Sequence, residues 1–377
     1  SPAARDDGIS TRVLIGLTGG GGLLAAALLA MLQRRRRRQF RARRPGRTIT
    51  TPEPTLAVVE SSILRIGATA RPAALALDAA LRQLGHACQQ AGTPLPDIAA
   101  VALRPDGSIA LHLAGSAAEP PPPWRSDPQT RTWTCAEAPH GIDDDLPAPW
   151  PLLATIGTGD DATTWLLNLE DQTVLVDGDA TFAADWTRFV VADLGCSPWA
   201  TQVHITLVGD VAGTELTDLD PARITMGETG TVDDAARQAV ARAEELQQPD
   251  TPTARAALAG DDIWPADLLV LGTRPPDLTG YLADHPGTTA TAILCTTAEA
   301  HTADPTGHAT TITITATGRA IINGAGLDLV AVGLTLDEAA GIAALLRSAT
   351  DVRDAEIPDL DEDLDDPTGW RSFADSA

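Results

Sequence analysis

The residues best placed for chemistry follow an apolar strand near the middle of the chain, in the segment Val176-Asp-Gly-Asp-Ala-Thr181. A helix is predicted to begin here, and the junction of a parallel strand with a helix N-terminus is a common anion site. A phosphate-binding loop needs the pattern G-x-x-x-x-G-K-[ST], because backbone amides converge on the phosphates and a lysine neutralises them. This segment has one glycine, and the whole chain contains no lysine. The sequence therefore predicts a degenerate phosphate-loop position at Asp177, Gly178, Asp179 and Thr181, where Asp179 or Thr181 caps the helix.

A second position expected in a nucleotide hydrolase also lacks its acid. A magnesium-binding aspartate would follow a buried strand such as Asp267–Leu271, but Gly272 and Thr273 follow it. The histidines show no metal-ligand spacing, and the nearest pair, His301 and His308, lies in a Thr/Gly-rich loop. The four cysteines are far apart and are expected to be free thiols. The sequence thus predicts no catalytic residues, no cofactor, no metal and no enzymatic activity, although an enzyme of unrecognised type remains an alternative.

The first part of the chain carries a topological signal. The apolar run Val13–Leu32 is long enough to cross a bilayer as a helix, and a dense arginine run follows it. Cationic flanks stay in the cytoplasm, so this pattern predicts a single-pass protein of the cell membrane with a cytoplasmic C-terminal body. The arginines are predicted to contact the membrane surface and its anionic lipid headgroups; they are Arg34, Arg35, Arg36, Arg37, Arg38, Arg41, Arg43, Arg44 and Arg47.

Charge limits the partners of the remaining chain. The net charge is −24, and the first 47 residues are strongly basic, so the body is more negative than the whole. Such a body repels phosphates, which argues against direct nucleic acid binding by this region. Nucleic acid binding by the arginine run is a weaker alternative, since its position beside the apolar helix already explains it. Protein partners, or further domains of the same polypeptide, are expected instead, and the oligomeric state stays open.

Periodicity divides the chain into a small module and a larger α/β domain. A helix over Pro72–Gln90 is followed by two apolar runs, Ile98–Leu103 and Ser108–Leu113, around the turn Pro105-Asp-Gly107, which predicts a hairpin. Beyond a proline-rich stretch, strands alternate with helices, which favours a mainly parallel sheet with helices on both faces. The boundaries predicted are an extracytoplasmic stub (1–12), a transmembrane helix (13–32), an Arg-rich linker (33–53), a small α+β module (54–119), a Pro-rich linker (120–150), an α/β domain (151–350) and an acidic disordered tail (351–377).

Within the α/β domain, the predicted strands are Leu152–Ile156, Thr164–Leu169, Thr173–Val176, Val203–Val208, Asp267–Leu271, Ala290–Leu294, Thr311–Thr315, Ala320–Asn323 and Leu327–Val332. The predicted helices are Thr181–Leu194, Thr231–Gln247, Leu278–Asp284 and one from Thr335 to Ser348. Capping boxes are expected at Thr231 and Thr335, where an acid stands three residues after the threonine.

Several of these segments together resemble the middle region of actinobacterial membrane proteins that pair a LysM module with a bacterial transcriptional activator domain. The segments are the membrane helix with its arginine run, Pro122-Pro-Trp124, Leu153-Ala-Thr-Ile-Gly157, Trp165-Leu-Leu-Asn-Leu169, His204-Ile-Thr-Leu-Val-Gly209 and the acidic tail. The resemblance implies no catalytic residue. It implies a non-enzymatic scaffold or signalling connector between an envelope-side sensor and a regulatory output.

A second resemblance, at the level of the fold, is to the P-loop ATPases that pump DNA in cell division or drive type VII secretion. It depends on a strand and loop followed by a strand, a segment like Pro221-Ala-Arg-Ile-Thr225 and a helix over Asp233–Glu245. Because the phosphate loop and the magnesium acid are missing, activity does not carry over. This resemblance implies the alternative function, a catalytically inactive ATPase-like subunit of a membrane motor or secretion complex.

Overall fold

The computed structural model describes residues 21–49, 54–137, 146–228, 230–257, 264–296, 307, 309–350 and 354–356. The helices are α1 (Gly22–Ala42), α2 (Pro54–Ala91), α3 (Ala180–Cys196), α4 (Thr231–Glu245), α5 (Thr251–Ala256), α6 (Pro276–Asp284) and α7 (Leu336–Ser348). The strands are β1 (Arg47–Ile49), β2 (Ile98–Leu103), β3 (Ile109–Leu113), β4 (Arg125–Asp127), β5 (Thr132–Cys135), β6 (Leu153–Thr158), β7 (Thr164–Asn168), β8 (Thr173–Gly178), β9 (Val203–Val208), β10 (Ile224–Met226), β11 (Ala266–Leu271), β12 (Thr291–Cys295), β13 (Ala309–Ile314), β14 (Arg319–Ile322), β15 (Leu327–Ala331) and β16 (Asp354–Glu356).

One large sheet runs through most of the described chain, in the order β10-β9-β11-β12-β8-β13-β14-β15-β6-β7-β2-β3-β5-β4. The six strands from β10 to β13 are parallel to their neighbours. Every pairing from β13 to β4 is antiparallel. The mixed α/β class with a parallel sheet is therefore as predicted, but the parallel arrangement covers only one half of the sheet.

The parallel half is covered by helices on both faces, as the alternation of strands and helices predicts. Side chains that alternate along β11 enter two different cores, since Leu268 belongs to one cluster and Leu269 to the other. The cluster that contains Leu269 is built with Ala239 of α4 and Leu278 of α6, whereas the cluster that contains Leu268 includes α3. Two apolar faces explain why these strands have nearly continuous apolar sequences.

The helix α1 lies inside this fold, and this does not support the predicted transmembrane helix. Residues 13–20 of that prediction lie outside the described residues, while Leu23, Leu24, Leu28 and Leu32 are buried in the core with α2 and α3. At Gly67 of α2 an added Cβ would overlap the backbone of α1, so the two helices touch closely. Within the described ranges, no helix combines the length and the apolar character needed to span a bilayer.

The small module predicted over 54–119 joins the same sheet. Its hairpin forms as predicted, with β2 paired to β3 across the turn at Gly107. On its other edge, β2 pairs with β7. The helix α2 begins well before Pro72, the residue where the predicted helix began. Strands β4 and β5 lie in the segment 120–150, which was predicted as a linker, and they extend the sheet beyond β3.

The two predicted capping boxes have different outcomes. Thr335 caps α7 in full, because its side chain accepts from the Glu338 amide and the Glu338 side chain accepts from Thr335. The prediction at Thr231 is wrong. Helix α4 is preceded by Gly230 in the left-handed conformation, and the Thr231 hydroxyl accepts from the amide of Glu228 instead.

Candidate functional site

The candidate site lies where β8 meets α3, at the carboxyl end of the parallel strands. Five of the six parallel strands, β8, β9, β11, β12 and β13, are numbered one to five in chain order. They stand side by side as 5-1-4-3-2, and the sixth, β10, lies at the edge beside β9. The chain leaves β8 through α3 on one face, while α4 and α6 cover the other face. The end of β8 is therefore a switch point of the sheet, the usual place for a ligand in such folds.

The junction between β8 and α3 is a single residue. Strand β8 ends at Gly178, helix α3 begins at Ala180, and Asp179 is the N-cap between them. One carboxylate oxygen, Oδ1 of Asp179, accepts hydrogen bonds from the backbone amides of Thr181 at 3.0 Å and Phe182 at 3.1 Å. These amides are among the groups that a phosphate would use at a helix N-terminus. The prediction that Asp179 caps the helix is confirmed.

The strand β13 fills the space beside this junction. Gly178 has φ +106°, and an added Cβ would overlap the carbonyl group of Ile314 in β13. The amide of Asp179 donates to the carbonyl oxygen of Ile314 at 2.8 Å, which fixes the turn against β13. The chain thus passes from β8 to α3 through a tight turn fixed against the neighbouring strand, and this turn is shorter than a loop that cradles phosphates.

The other groups at the junction add negative charge. The Asp177 carboxylate accepts from the amide of Gly178 at 2.5 Å, so it also lies at the end of β8. A nucleotide phosphate approaching here would meet the carboxylates of both Asp177 and Asp179 with no lysine to balance them. At the end of β11, the chain continues through Gly272 and Thr273, and Leu271 is tied to Thr296 by a backbone hydrogen bond of 3.1 Å.

A buried ion pair lies at the opposite end of β8 and was missed by sequence reasoning. Arg255 donates through Nη1 to Oε2 of Glu170 at 2.9 Å and through Nη2 to Oε1 at 2.8 Å. Thr251 donates to the same carboxylate at 2.5 Å, and Nε of Arg255 donates to the carbonyl oxygen of Trp264 at 2.9 Å. These residues are far apart in the sequence, so no local sequence pattern predicts that they form a pair. Because these groups satisfy one another, the cluster ties α5 to the sheet.

Two buried aspartates near the sheet have raised pKa values. Burial and the neighbouring Glu170 charge raise the pKa of Asp171, whose carboxylate accepts from the hydroxyl of Thr289. Burial raises the pKa of Asp193 in α3 to about 6, although its carboxylate accepts from the Thr155 amide at 2.8 Å and the Ser197 hydroxyl at 3.2 Å. Both carboxyl groups hold backbone segments in place and neither faces the β8 junction.

The arginine run divides into inward and outward side chains. Arg35 donates to the carbonyl oxygens of Leu346 and Leu219, and burial lowers its pKa. Arg36 forms an ion pair with Glu60 of α2 at 3.0 Å. The membrane-surface role predicted for Arg35 and Arg36 is therefore not supported, because both side chains are used within the protein.

The remaining arginines have other surroundings. Arg43 lies over the ring of Phe40 at 3.7 Å and donates to the carbonyl oxygen of Arg47. Arg44 also interacts non-covalently with another group of the protein. The outward side chains, which are exposed, are Arg34, Arg37, Arg38 and Arg41.

The other chemistry-bearing residues form no further site in the described part of the chain. No group of three or more His, Cys, Asp or Glu side chains among the described residues could hold a metal ion. The cysteines are buried and unbridged, and burial raises the pKa of Cys196 to about 12 and of Cys88 to about 11, which disfavours the reactive thiolate. His301, predicted not to bind metal, and His308 lie outside the described residues.

A cleft of about 920 Å³ opens between α1, α2 and the end of α3, away from the β8 junction. Its lining includes Ala26, Ala27 and Ala30 of α1 and Ala74 of α2. Its inner charges are paired with one another, Arg82 with Asp78 at 2.8 Å and Arg223 with Asp220 at 3.0 Å. The cleft therefore offers few unpaired polar groups that could orient a small ligand.

Comparison with known proteins gives little beyond the fold itself. No protein-family model matches the chain, and no curated protein matches it. Among solved structures, the chain is similar to the cytoplasmic domain of the type VII secretion ATPase EccC of Thermomonospora curvata, at 16% identity and a TM-score of 0.34. That match covers 53% of this chain and 29% of that chain. The resemblance to LysM and transcriptional activator proteins finds no support in these comparisons.

Proposed function

We propose that this chain is a non-catalytic subunit built on an ATPase-like sheet, which acts by binding a catalytic partner in a membrane motor or secretion complex. The observation that carries the proposal is the Asp179 cap. The protein's own carboxylate occupies the amides at the start of α3 that would otherwise hold phosphate. Because Asp179 occupies these amides, the junction is not open to a phosphate, and we propose that the sheet serves as a scaffold.

The order of the parallel strands supports the ATPase-like part of the proposal. The strand that would precede the phosphate loop, β8, is central, and the strand that would bear the magnesium acid, β11, stands two places away with β12 between them. This arrangement would bring the ends of β8, β12 and β11 to one edge, where an ATPase assembles its site. Here no lysine follows β8 and no acid follows β11, where the chain continues through Gly272, although Arg274 lies near Cys295 at the end of β12.

The same end of the sheet supports the binding part of the proposal, since it exposes large apolar side chains. Phe182 in the first turn of α3 is 42% exposed, and Val330 of β15 is 51% exposed. Both flank the turn at Gly318: a Cβ there would lie 3.9 Å from the Phe182 ring, and Val330 pairs with Arg319. Val330 points away from the core that contains α3, because its neighbour Leu329 belongs to that core, so Phe182 and Val330 are two separate exposed apolar side chains at this end of the sheet.

The proposal is tested by capture of partners from membranes of the source organism with the full chain as bait. We expect an intact P-loop ATPase to co-purify, and we expect the double variant Phe182→Ser and Val330→Ser to lose it. Leu64→Ser is the matched control, because Leu64 is 43% exposed but lies on α2 rather than on α3 or β15. Capture of no P-loop ATPase, or equal capture by all three proteins, would overturn the proposal.

The other predicted function, a connector within a transmembrane transcriptional regulator, is less well supported. That prediction depends on a helix that leaves the body to cross the bilayer, whereas residues 22–32 are packed within the body. Localisation at the cell membrane stays a prediction, which fractionation of cells with and without carbonate extraction would test.

A further inference from the structure

The cleft between α1, α2 and the end of α3 differs in charge from the rest of the chain. Among the described residues, its lining includes five arginines but only two aspartates, whereas the whole chain has a net charge of −24. The arginines are Arg34, Arg71, Arg82, Arg223 and Arg255, and the aspartates are Asp78 and Asp220. A cleft lined by an excess of one sign of charge attracts ligands of the opposite sign. The lining therefore favours an anion.

Three of these arginines are already used by the protein. Arg82 and Arg223 each form an ion pair with an aspartate of the lining and also donate to backbone carbonyl oxygens. Arg255 is bound to the buried carboxylate of Glu170. A ligand would have to break these contacts to bind the three side chains, so they are not its anchors.

Two arginines remain, one on each of the long helices that border the cleft. Arg34 of α1 and Arg71 of α2 are exposed, and neither pairs with a carboxylate of the described residues. Arg71 donates to the side-chain oxygen of Gln33 at 3.1 Å, which brings its guanidinium group to the residue that precedes Arg34. Guanidinium groups bind carboxylates and phosphates through charge-assisted hydrogen bonds. These two arginines are therefore the anion-binding groups that the cleft offers.

The same two helices give the cleft a hydrocarbon side. Their apolar lining residues are Ala26, Ala27, Ala30, Met31, Ala74 and Leu75. Leu75 is 36% exposed although its side chain is large and apolar. An alkyl chain laid along this side would remove these groups from water and would need no polar partner. The cleft volume of about 920 Å³ lies within the range of ligand sites, roughly 300–1,000 Å³.

We propose that the cleft binds a single-chain anionic lipid, with its carboxylate or phosphate at Arg34 and Arg71 and its alkyl chain along the hydrocarbon side. A purely polar anion would leave the hydrocarbon side exposed to water. A neutral lipid would leave the two arginines without a counter-charge. The inference rests on α1, α2 and the cleft, and it is independent of the proposed function, whose observations lie at the β8 junction.

Calorimetric titration of the full chain with oleate, below its critical micelle concentration, tests the proposal. We expect saturable binding at one site. The double variant Arg34→Gln and Arg71→Gln should weaken it at least about ten-fold, because both charged donors are lost. The matched control is Arg37→Gln with Arg38→Gln, which removes the same charge from exposed positions of α1 that do not line the cleft. The control should weaken binding by less than about two-fold, since exposed charges are screened.

A substitution within the cleft tests the position of the alkyl chain. Ala30 is exposed, so Ala30→Trp should fold normally while its indole ring fills the cleft and prevents oleate from binding. Ala42→Trp is the matched control, because Ala42 is exposed on the same helix and does not line the cleft. It should bind oleate as the unmodified protein does. Circular dichroism spectra of both variants check that they fold, and equal binding by the two would overturn the proposal.

Two further ligands separate the contributions of charge and chain. Monoolein has the alkyl chain without the charge, and inorganic phosphate has the charge without the chain. We expect both to bind at least about ten-fold more weakly than oleate. No saturable binding of oleate by the unmodified protein, or equal binding by the two arginine double variants, overturns the proposal. Binding of monoolein or phosphate as tight as that of oleate overturns it as well.

Discussion

The carboxylate of Asp179 accepts a hydrogen bond from the backbone amide of Thr181 at 3.0 Å, and this contact closes the start of α3. In phosphate-binding folds the same amides face a ligand. Here the ligand's place is taken by the residue that joins the strand to the helix. The first amides of α3 are therefore bonded within the chain at this junction.

The tight turn at the junction predicts a large effect of a small substitution. Gly178→Ala should destabilise the protein by at least about 3 kcal/mol, because a Cβ would overlap Ile314 and φ is +106°. Gly280→Ala in α6 is the matched control, since Gly280 has open space, and it should be neutral or stabilising by up to about 1 kcal/mol. Denaturant unfolding of both variants provides the measurement. Equal stability of the two would show that the turn is not locked as described.

The position of α1 in the core predicts the effect of shortening one of its leucines. Leu28 is 1% exposed, so Leu28→Ala should lower the free energy of unfolding in detergent-free buffer by about 2–5 kcal/mol. Leu64→Ala, on the exposed face of α2, should change it by less than about 0.5 kcal/mol. If Leu28→Ala leaves unfolding unchanged, α1 does not pack in the body.

Asp193 predicts a pH-dependent stability. Burial raises its pKa in the folded protein to about 6, above the value of about 3.9 in an unfolded chain. The folded state therefore binds this proton more tightly, and the stabilisation is complete below about pH 4 and is lost as the pH rises through 6. In Asp193→Asn an amide can still accept from Thr155 and donate to Ser197, so the decline should be smaller by about 2–3 kcal/mol between pH 4 and 8.

Urea unfolding at several pH values tests this prediction. The exposed Asp284→Asn serves as the control and should follow the unmodified protein across the range. A parallel pH dependence of Asp193→Asn and the unmodified protein would contradict the raised pKa.

Local patterns in the sequence predicted much of this fold. The parallel strands and the helices of the α/β domain have periodic apolar residues, and the cap at Asp179 is a local hydrogen-bond preference that needs no distant partner. Thr231 shows the limit of such patterns. Its spacing fits a capping box, but Gly230 precedes the helix as the N-cap in the left-handed conformation, and the threonine hydroxyl accepts a hydrogen bond from the amide of Glu228.

The features that sequence reasoning missed depend on distant contacts. An apolar helix of about twenty residues can be buried by lipid or by protein. The burial of Leu23 and Leu28 in the core and the close contact of Gly67 with α1 show that protein covers much of residues 22–32. The pair of Glu170 and Arg255 is likewise separated by a long stretch of chain. The antiparallel half of the sheet was missed because β7 pairs with β2, across the segment predicted as a linker.

Isothermal titration calorimetry of the full chain with ATP and Mg²⁺ at modest salt tests the central claim most directly. We predict no saturable heat at millimolar nucleotide, because Asp179 occupies the helix amides and no lysine is present. Asp179→Ala, which frees the amides but restores neither the loop nor the lysine, should bind no nucleotide either. Saturable binding of ATP by the unmodified protein would contradict the account and would identify the chain as a nucleotide-binding protein.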